Sequence, residues 1–316
     1  MTTTAGSSAR LTPLQTDVLI VGGGPAGLTA AIYLARFHLG VIIVDRGGSR
    51  ASLIPMTRNH AGFPEGISGI DLVDRMRDQA LRYGARLIEA EVTDIRRDAS
   101  HFIASDGSRM IRASSVLMAT GVSNIRPPMD DAIHSQAVRQ GLLRYCPICD
   151  GFEVTDSRVA VIGTGERGVK EALFLRSYTA DVSLLALEGP HALDDRQRLT
   201  LAEAGILLVD GPCGDIAIDV QSIAIASPTG RHVFDTAYPA LGSRIHSELA
   251  RSLGVNVSDD GCMVVDTHQR TDVEGLYAAG DVVLGLDQIS HAMGEGGVAA
   301  TTIRNDLAAR TALRRA

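Results

Sequence analysis

Cys146 and Cys149 stand two residues apart in the stretch YCPICDGFE (Tyr145 to Glu153), and Asp150 follows at once. Two thiols at this spacing can close a small disulfide, which in a reducing compartment suggests redox work. A helix starting at the pair would lower a thiol pKa and favour the reactive thiolate, and Pro147 at the first inner position suits a helix start. Asp150 is then placed to pass a proton during thiol exchange. Half of a zinc site is a competing chemistry. Zinc normally needs four ligands, and the other two cysteines, Cys213 and Cys262, are isolated, so no metal is expected. A buried inert pair is the remaining alternative, because free cysteine is often just a small core residue; Cys213 and Cys262 themselves are read as structural.

Two glycine-rich turns flank this pair. In VLIVGGGPAG, Gly22, Gly24 and Gly27 give G-x-G-x-x-G directly after an apolar run and before a helical pattern. The first glycine permits a tight turn, the second lets the backbone approach a pyrophosphate, and the third lets helix and strand pack closely. Asp45 ends the next strand, where an acidic side chain accepts hydrogen bonds from a ribose. The second turn, with Gly163, Gly165 and Gly168, has the same context, and Glu188 follows its next strand. By the same logic Glu188 could hold a ribose 2′-hydroxyl and would repel a 2′-phosphate. The alternative is a turn that keeps the fold of a dinucleotide domain without binding one.

These loops need strands and helices around them. TDVLIV (Thr16 to Val21), a helix over LTAAIYLARF and a strand over GVIIVD (Gly40 to Asp45) make one strand–turn–helix–strand unit of a parallel sheet. SVLMATG (Ser115 to Gly121) reads as a buried strand ending in a glycine turn. After IRPP (Ile125 to Pro128) the pattern restarts as RVAVIG, GTGERG, VKEALFLRSY and DVSLLAL, the one internal repeat. GCMVVD, GLYAAGD and a helix over GEGGVAATTIRNDLAARTAL close the chain. The expectation is an α/β protein of two three-layer, Rossmann-like dinucleotide-binding domains. One is a discontinuous domain of residues 1–121 and 242–316. The other, residues 122–241, is inserted into it and carries the C-x-x-C pair. Residues 1–12 read as a flexible tail.

Composition bounds the function. The chain of 316 residues suits two domains of ordinary size. Tryptophan is absent and aromatics make up 4%, so the core rests on Ala, Val, Ile and Leu, as covered parallel sheets do. Net charge is −7, and Lys170 is the single lysine among basic residues that are otherwise scattered arginines. Without a basic stripe, nucleic acid is not an expected partner. The first residues, MTTTAGSSAR, do not read as a secretion signal. No run of about 18 apolar residues occurs, so no membrane span is expected. Four cysteines are too sparse for a disulfide framework. A cytoplasmic protein is the expectation.

Together these pieces resemble the low-molecular-weight thioredoxin reductases, over nearly the whole chain from Thr16 to about Leu307. VLIVGGGPAGLTAAIYLAR looks like that family's FAD loop. NHAGFPEGISGIDLV (Asn59 to Val73) resembles its ENYPGFPEGISG segment, whose asparagine lies by the flavin, and CPICDGFE looks like its CATCDGFF redox centre. GLYAAGDV (Gly275 to Val282) is similar to the motif whose aspartate, here Asp281, binds the ribityl and phosphate region of FAD. The resemblance implies an FAD domain, an inserted nicotinamide domain, a homodimer, and electron flow from flavin to disulfide to a thioredoxin-like partner. It implies that Cys149 sits nearer the flavin, that Cys146 attacks the partner disulfide, and that Asp150 donates the proton. FAD is expected to be held by Gly22, Gly24, Gly27, Asp45, Asn59, Thr120, Gly121, Asp281 and Ala292.

The chain also departs from that family. Where the family has HRRxxxR, a basic cluster that grips the 2′-phosphate of NADPH, the matching stretch is LALEGPHALDDR (Leu185 to Arg196), with Arg198 beyond it. Glu166 lies inside the second loop, a milder departure. Near the flavin end the family has RQA and this chain has SHA (Ser290 to Ala292), so His291 is a candidate to face the isoalloxazine or the dimer partner. A solvent-exposed residue at a helix start is the alternative for His291. The second loop is then a relic, or it serves a donor other than NADPH. Some relatives of these reductases take electrons from ferredoxin or another donor. Others are dithiol oxidases that close a disulfide in a small molecule and pass electrons to oxygen, and these share the proline after the first cysteine. The readings carried forward are a thiol–disulfide oxidoreductase acting on a thioredoxin or a small dithiol or disulfide, a dithiol oxidase, and a flavin redox sensor that does not turn over.

Overall fold

In the computed structural model, residues 12–314 are described, so the expected N-terminal tail lies outside the described residues apart from its last position. The chain divides into two compact units, one of residues 12–51, 73–121 and 245–314, the other of residues 52–72 and 122–244.

The first unit is built on a seven-stranded sheet. Four parallel strands run in the order Arg86–Glu89, Val41–Asp45, Leu14–Val21, Met110–Met118. Val18 to Val21 and Val41 to Val44 are buried. Each such apolar side chain removed from water contributes roughly 2 kcal/mol, which is why these runs show no polar alternation. Leu276–Ala278 pairs in parallel with the C-terminal half of Met110–Met118. The N-terminal half of that strand carries the antiparallel strands His101–Ser105 and Asp94–Asp98.

Helix Pro25–Arg36 starts on Gly24 with proline in its first turn, and its alanines let it lie buried along most of its length. It packs against the C-terminal helix Ile289–Arg310. The contact is close: a Cβ on Gly296 would stand 2.3 Å from the Ala26 carbonyl oxygen. That helix begins five residues earlier than its sequence pattern predicts, at Ile289 rather than Gly294. Gly294, Gly296 and Gly297 lower its intrinsic propensity, and tight packing on Pro25–Arg36 overrides that cost.

The second unit repeats the plan on a smaller scale. Its parallel sheet runs Leu207–Val209, Val182–Leu185, Val159–Ile162, Thr236–Pro239. Helix Gly165–Leu175 follows Val159–Ile162. A three-stranded antiparallel sheet, Gly214–Ile218, Ile223–Ser227 and Gly230–Phe234, is appended. Residues 52–72 group with this unit: Thr57 and Ile67 bridge to one another, and Asn59 reaches the redox loop. Among the described residues no helix is long and apolar enough to cross a membrane.

Candidate active site

Cys146 and Cys149 are joined in a disulfide. The helix Pro147–Asp150 begins at the pair, as its proline suggested, and Cys146 is its N-cap. The Cys149 amide donates to Cys146 Sγ at 3.1 Å, so a backbone dipole is aimed at that sulfur, which favours the thiolate after reduction. Asn59 Nδ2 donates to the Ile148 carbonyl at 3.4 Å, and Thr57 Oγ1 donates to Asn59 Oδ1 at 3.1 Å. The asparagine expected at the cofactor therefore also braces the loop between the two cysteines.

Asp150 is largely buried, and its carboxylate is held at both ends. Tyr238 Oη donates to Oδ1 at 2.8 Å and Arg144 Nη1 donates to Oδ2 at 2.9 Å. Burial raises its pKa, against the lowering effect of Arg144 and of the Tyr238 hydrogen bond. A carboxyl that keeps its proton to higher pH than usual, one residue from Cys149, suits proton transfer during thiol exchange. Among the described residues, no three His, Cys, Asp or Glu side chains are grouped to hold a metal ion.

The first glycine loop lies in the other unit. Gly22 has φ +109°, and a Cβ there would stand 2.2 Å from the Ala119 carbonyl oxygen. A Cβ on Gly27 would stand 2.1 Å from the Gly22 oxygen. Gly24 caps helix Pro25–Arg36 with no side-chain hydrogen bond, leaving the first-turn amides for a phosphate. Asp45 ends its strand beside Gly23, where an added Cβ would meet its carboxyl carbon at 2.7 Å. A Cβ on Gly280, next to Asp281, would stand 2.9 Å from Ala26 Cβ and 3.6 Å from Ala292 Cβ, so these three residues pack closely. Thr120 Oγ1 donates to the His246 carbonyl at 2.6 Å, and Gly121, at φ +61°, turns the chain. These residues fit an FAD: glycine cradle, open helix start, ribose carboxylate and a partly buried aspartate lie in one unit.

Asp281 is not alone there. Arg50 Nη1 donates to Asp281 Oδ2 at 2.9 Å and to Asp287 Oδ2 at 2.8 Å. Burial and the neighbouring Asp287 raise the Asp281 pKa, and Arg50 opposes them. His291, half-exposed at the start of Ile289–Arg310, places Nε2 3.1 Å from Glu295 Oε1. Glu295 Oε2 in turn accepts the Gly280 amide at 2.7 Å. His291 is thus a helix-start residue tied through Glu295 to the turn that carries Asp281.

The pyridine nucleotide-disulphide oxidoreductase family model matches residues 16–296. The chain belongs to this family. It is similar to thioredoxin reductase of Mycolicibacterium smegmatis, 29% identical over 283 residues that cover 84% of this chain and 88% of that protein. It is also similar to NADPH-dependent thioredoxin reductase 3 of Arabidopsis thaliana, 29% identical over 84% of this chain, and it spans about half of that protein's length, 53%. The structure resembles that of thioredoxin reductase from Streptococcus pyogenes, with TM-score 0.86 and 24% identity over 94% of this chain and 100% of that one. The fold is the low-molecular-weight thioredoxin reductase type with two Rossmann-like units, and the protein is an FAD-dependent disulfide oxidoreductase.

The second glycine loop lies in the second unit, between strand Val159–Ile162 and helix Gly165–Leu175. Thr164 caps helix Gly165–Leu175 without a side-chain bond to it. Its hydroxyl instead accepts the Ala192 amide at 3.1 Å and lies 3.2 Å from His191 Nδ1. The buried His191 uses Nε2 on the Leu184 carbonyl at 3.0 Å. Arg198 is engaged with the His191 carbonyl, Glu188 is exposed, and Glu166 pairs with Lys170 on the helix surface.

Sequence reasoning did not single out Arg50, Arg144, Tyr238 or Glu295. Arg144 was the accessible one, two residues before Cys146. Tyr238 reaches Asp150 from 88 residues away, and Arg50 reaches Asp281 from 231, with no local signal for either.

Proposed function

We propose that the protein exchanges electrons between FAD, the Cys146–Cys149 disulfide and a thioredoxin-like protein or a small dithiol or disulfide, and that NADPH is not its working donor. The observation that carries the thiol chemistry is the disulfide at a helix start with a doubly held, proton-retaining Asp150 next to it. In the reducing direction a thiolate attacks a disulfide sulfur, the S–S bonding pair leaves on the other sulfur, and that sulfur takes a proton. Asp150 is suited to supply that proton. The Cys149 amide on Cys146 Sγ supports Cys146 as the sulfur that meets the partner.

FAD, when bound, carries the electron pair as a hydride acceptor or donor. Gly22, Gly24 and Gly27 would hold its pyrophosphate region, Asp45 a ribose and Asp281 the ribityl and phosphate region, with Asn59, Thr120, Gly121, Ala292 and His291 assigned to the same cofactor. NADPH is disfavoured because the strand end that should present arginines presents Glu188, and Arg198 is occupied by a backbone carbonyl. Arginine grips a 2′-phosphate through charge-assisted hydrogen bonds, and a carboxylate repels it. NADH avoids that repulsion. Ferredoxin, another flavoprotein or a substrate dithiol are the remaining donors, and a homodimer in the cytoplasm is the expected form.

Pro147 after the first cysteine also favours a second reading, a dithiol oxidase with oxygen as acceptor. Steady-state assays of the holoenzyme separate these. Cys149→Ser should keep its yellow flavin and lose turnover; full activity in that variant would end the redox-centre reading. Sustained oxygen uptake with dithiothreitol would select the oxidase. A single turnover followed by arrest would select a sensor.

A further inference from the structure

Tyr238 is fully buried in strand Thr236–Pro239. Its hydroxyl donates to Asp150 Oδ1 at 2.8 Å. The opposite oxygen accepts from Arg144 Nη1 at 2.9 Å, and Arg144 is itself fixed by Nε donating to the Gly141 carbonyl at 3.0 Å. We propose that Tyr238 is a positioning residue for thiol exchange: its hydroxyl, together with Arg144, sets the pH at which Asp150 gives up and takes back the proton of the redox pair. The inference rests on the reading of Asp150 as the acid of that pair.

Tyrosine is the informative choice at this site. A phenylalanine would fill the same core volume, so the hydroxyl is present for its partner. Burial pushes the Tyr238 phenol far above its usual range, so it remains a donor at every working pH. A donor to the charged carboxylate favours the charged form. Removing it raises the pH at which Asp150 ionises. The other charged groups near Asp150 do not share this role. Glu153 acts in the raising direction and is 3.9 Å from Arg58. Helix Gly165–Leu175, packed against the redox helix, carries Glu171 and Arg167. The Tyr178 ring crowds Gly151.

The proton balance makes the effect readable in either direction. When a substrate dithiol reduces the pair, the leaving cysteine thiolate takes the Asp150 proton. When the pair is reoxidised, the Asp150 carboxylate takes one back. Both rates therefore inflect at the Asp150 pKa. The test is the rate of reduction of the Cys146–Cys149 disulfide by dithiothreitol in the holoenzyme, quenched with an alkylating agent and read by peptide mass across pH. In Tyr238→Phe the inflection should move up by about one pH unit. A purely structural loss would lower the rate equally at all pH values and leave the inflection in place, which would overturn the proposal. Site-specific 3-fluorotyrosine at position 238, a stronger donor of nearly the same shape, should move the inflection down; an upward or absent shift would also overturn it. Asp150→Asn separates the two layers. It should abolish the inflection, and an inflection that persists shows that Asp150 is not the acid, whatever Tyr238 does.

Discussion

Replacing Glu171 with glutamine should remove one pH-dependent part of the stability of the second unit between the ordinary carboxylate range and neutrality, leaving the part that comes from Asp150. Glu171 lies on helix Gly165–Leu175, and its Oε1 is buried without a hydrogen-bond partner. Burial pushes its carboxyl from 4.5 up to about 7, with Arg167 opposing the rise. Below the unfolded value both states hold the proton. Between that value and about 7 the folded state keeps a proton that the unfolded chain has released, so stability falls as pH rises. Roughly two to three pH units at 1.36 kcal/mol per unit give a loss of about 3 kcal/mol. Glutamine matches the protonated acid in shape and does not titrate, so the variant should equal the parent near pH 4.5 and exceed it at pH 8. Urea titrations at these two pH values, followed by hydrogen exchange of amides in residues 159–185, would localise the effect. Parallel loss of stability in parent and variant would refute the assignment of a buried, proton-bearing carboxyl.

Gly27→Ala should give a colourless, weakly folded protein, because the added Cβ would stand 2.1 Å from the Gly22 oxygen; flavin absorbance per protein is the measurement. Arg50→Ala should leave Asp281 buried beside Asp287 without its cation, weakening flavin retention by about 1–3 kcal/mol, with Arg50→Lys recovering part of it in equilibrium dialysis. Glu188→Arg should speed flavin bleaching by NADPH relative to NADH by about tenfold, measured by stopped flow under nitrogen; an unchanged ratio would mean that position 188 does not face the 2′-phosphate.

The parts of this molecule that were legible in sequence are those written in consecutive residues. The two glycine loops, the redox pair and its proline announce strand, turn and helix within a dozen residues each, because tight turns and helix starts restrict residue choice locally. The C-terminal helix was legible from Gly294 onward, while its first turn, Ile289 to Met293, was not, and the glycines within it fit the close packing of Gly296 on Ala26. The electrostatic partners were not legible. Nothing near Asp150 in the chain points to Tyr238, and nothing near Asp281 points to Arg50, because charge pairing acts through space. Glu295 sits four residues from His291, so helical spacing carried that pair, but its bond to the Gly280 amide depends on where the helix docks.

The packing of Pro25–Arg36 on Ile289–Arg310 has a consequence for synthesis on the ribosome. The first glycine loop emerges long before the helix Ile289–Arg310 that packs on its neighbouring helix. The parallel partner Leu276–Ala278 is late as well. All elements of the second unit are complete by residue 244, so it can fold while the first waits with an exposed apolar strand edge at Met110–Met118. Contacts separated by most of the chain form slowly, and waiting strand edges are prone to misassembly. Yield in cells should therefore depend on chaperone supply during that interval, and free flavin, which selects the closed first unit, should raise it.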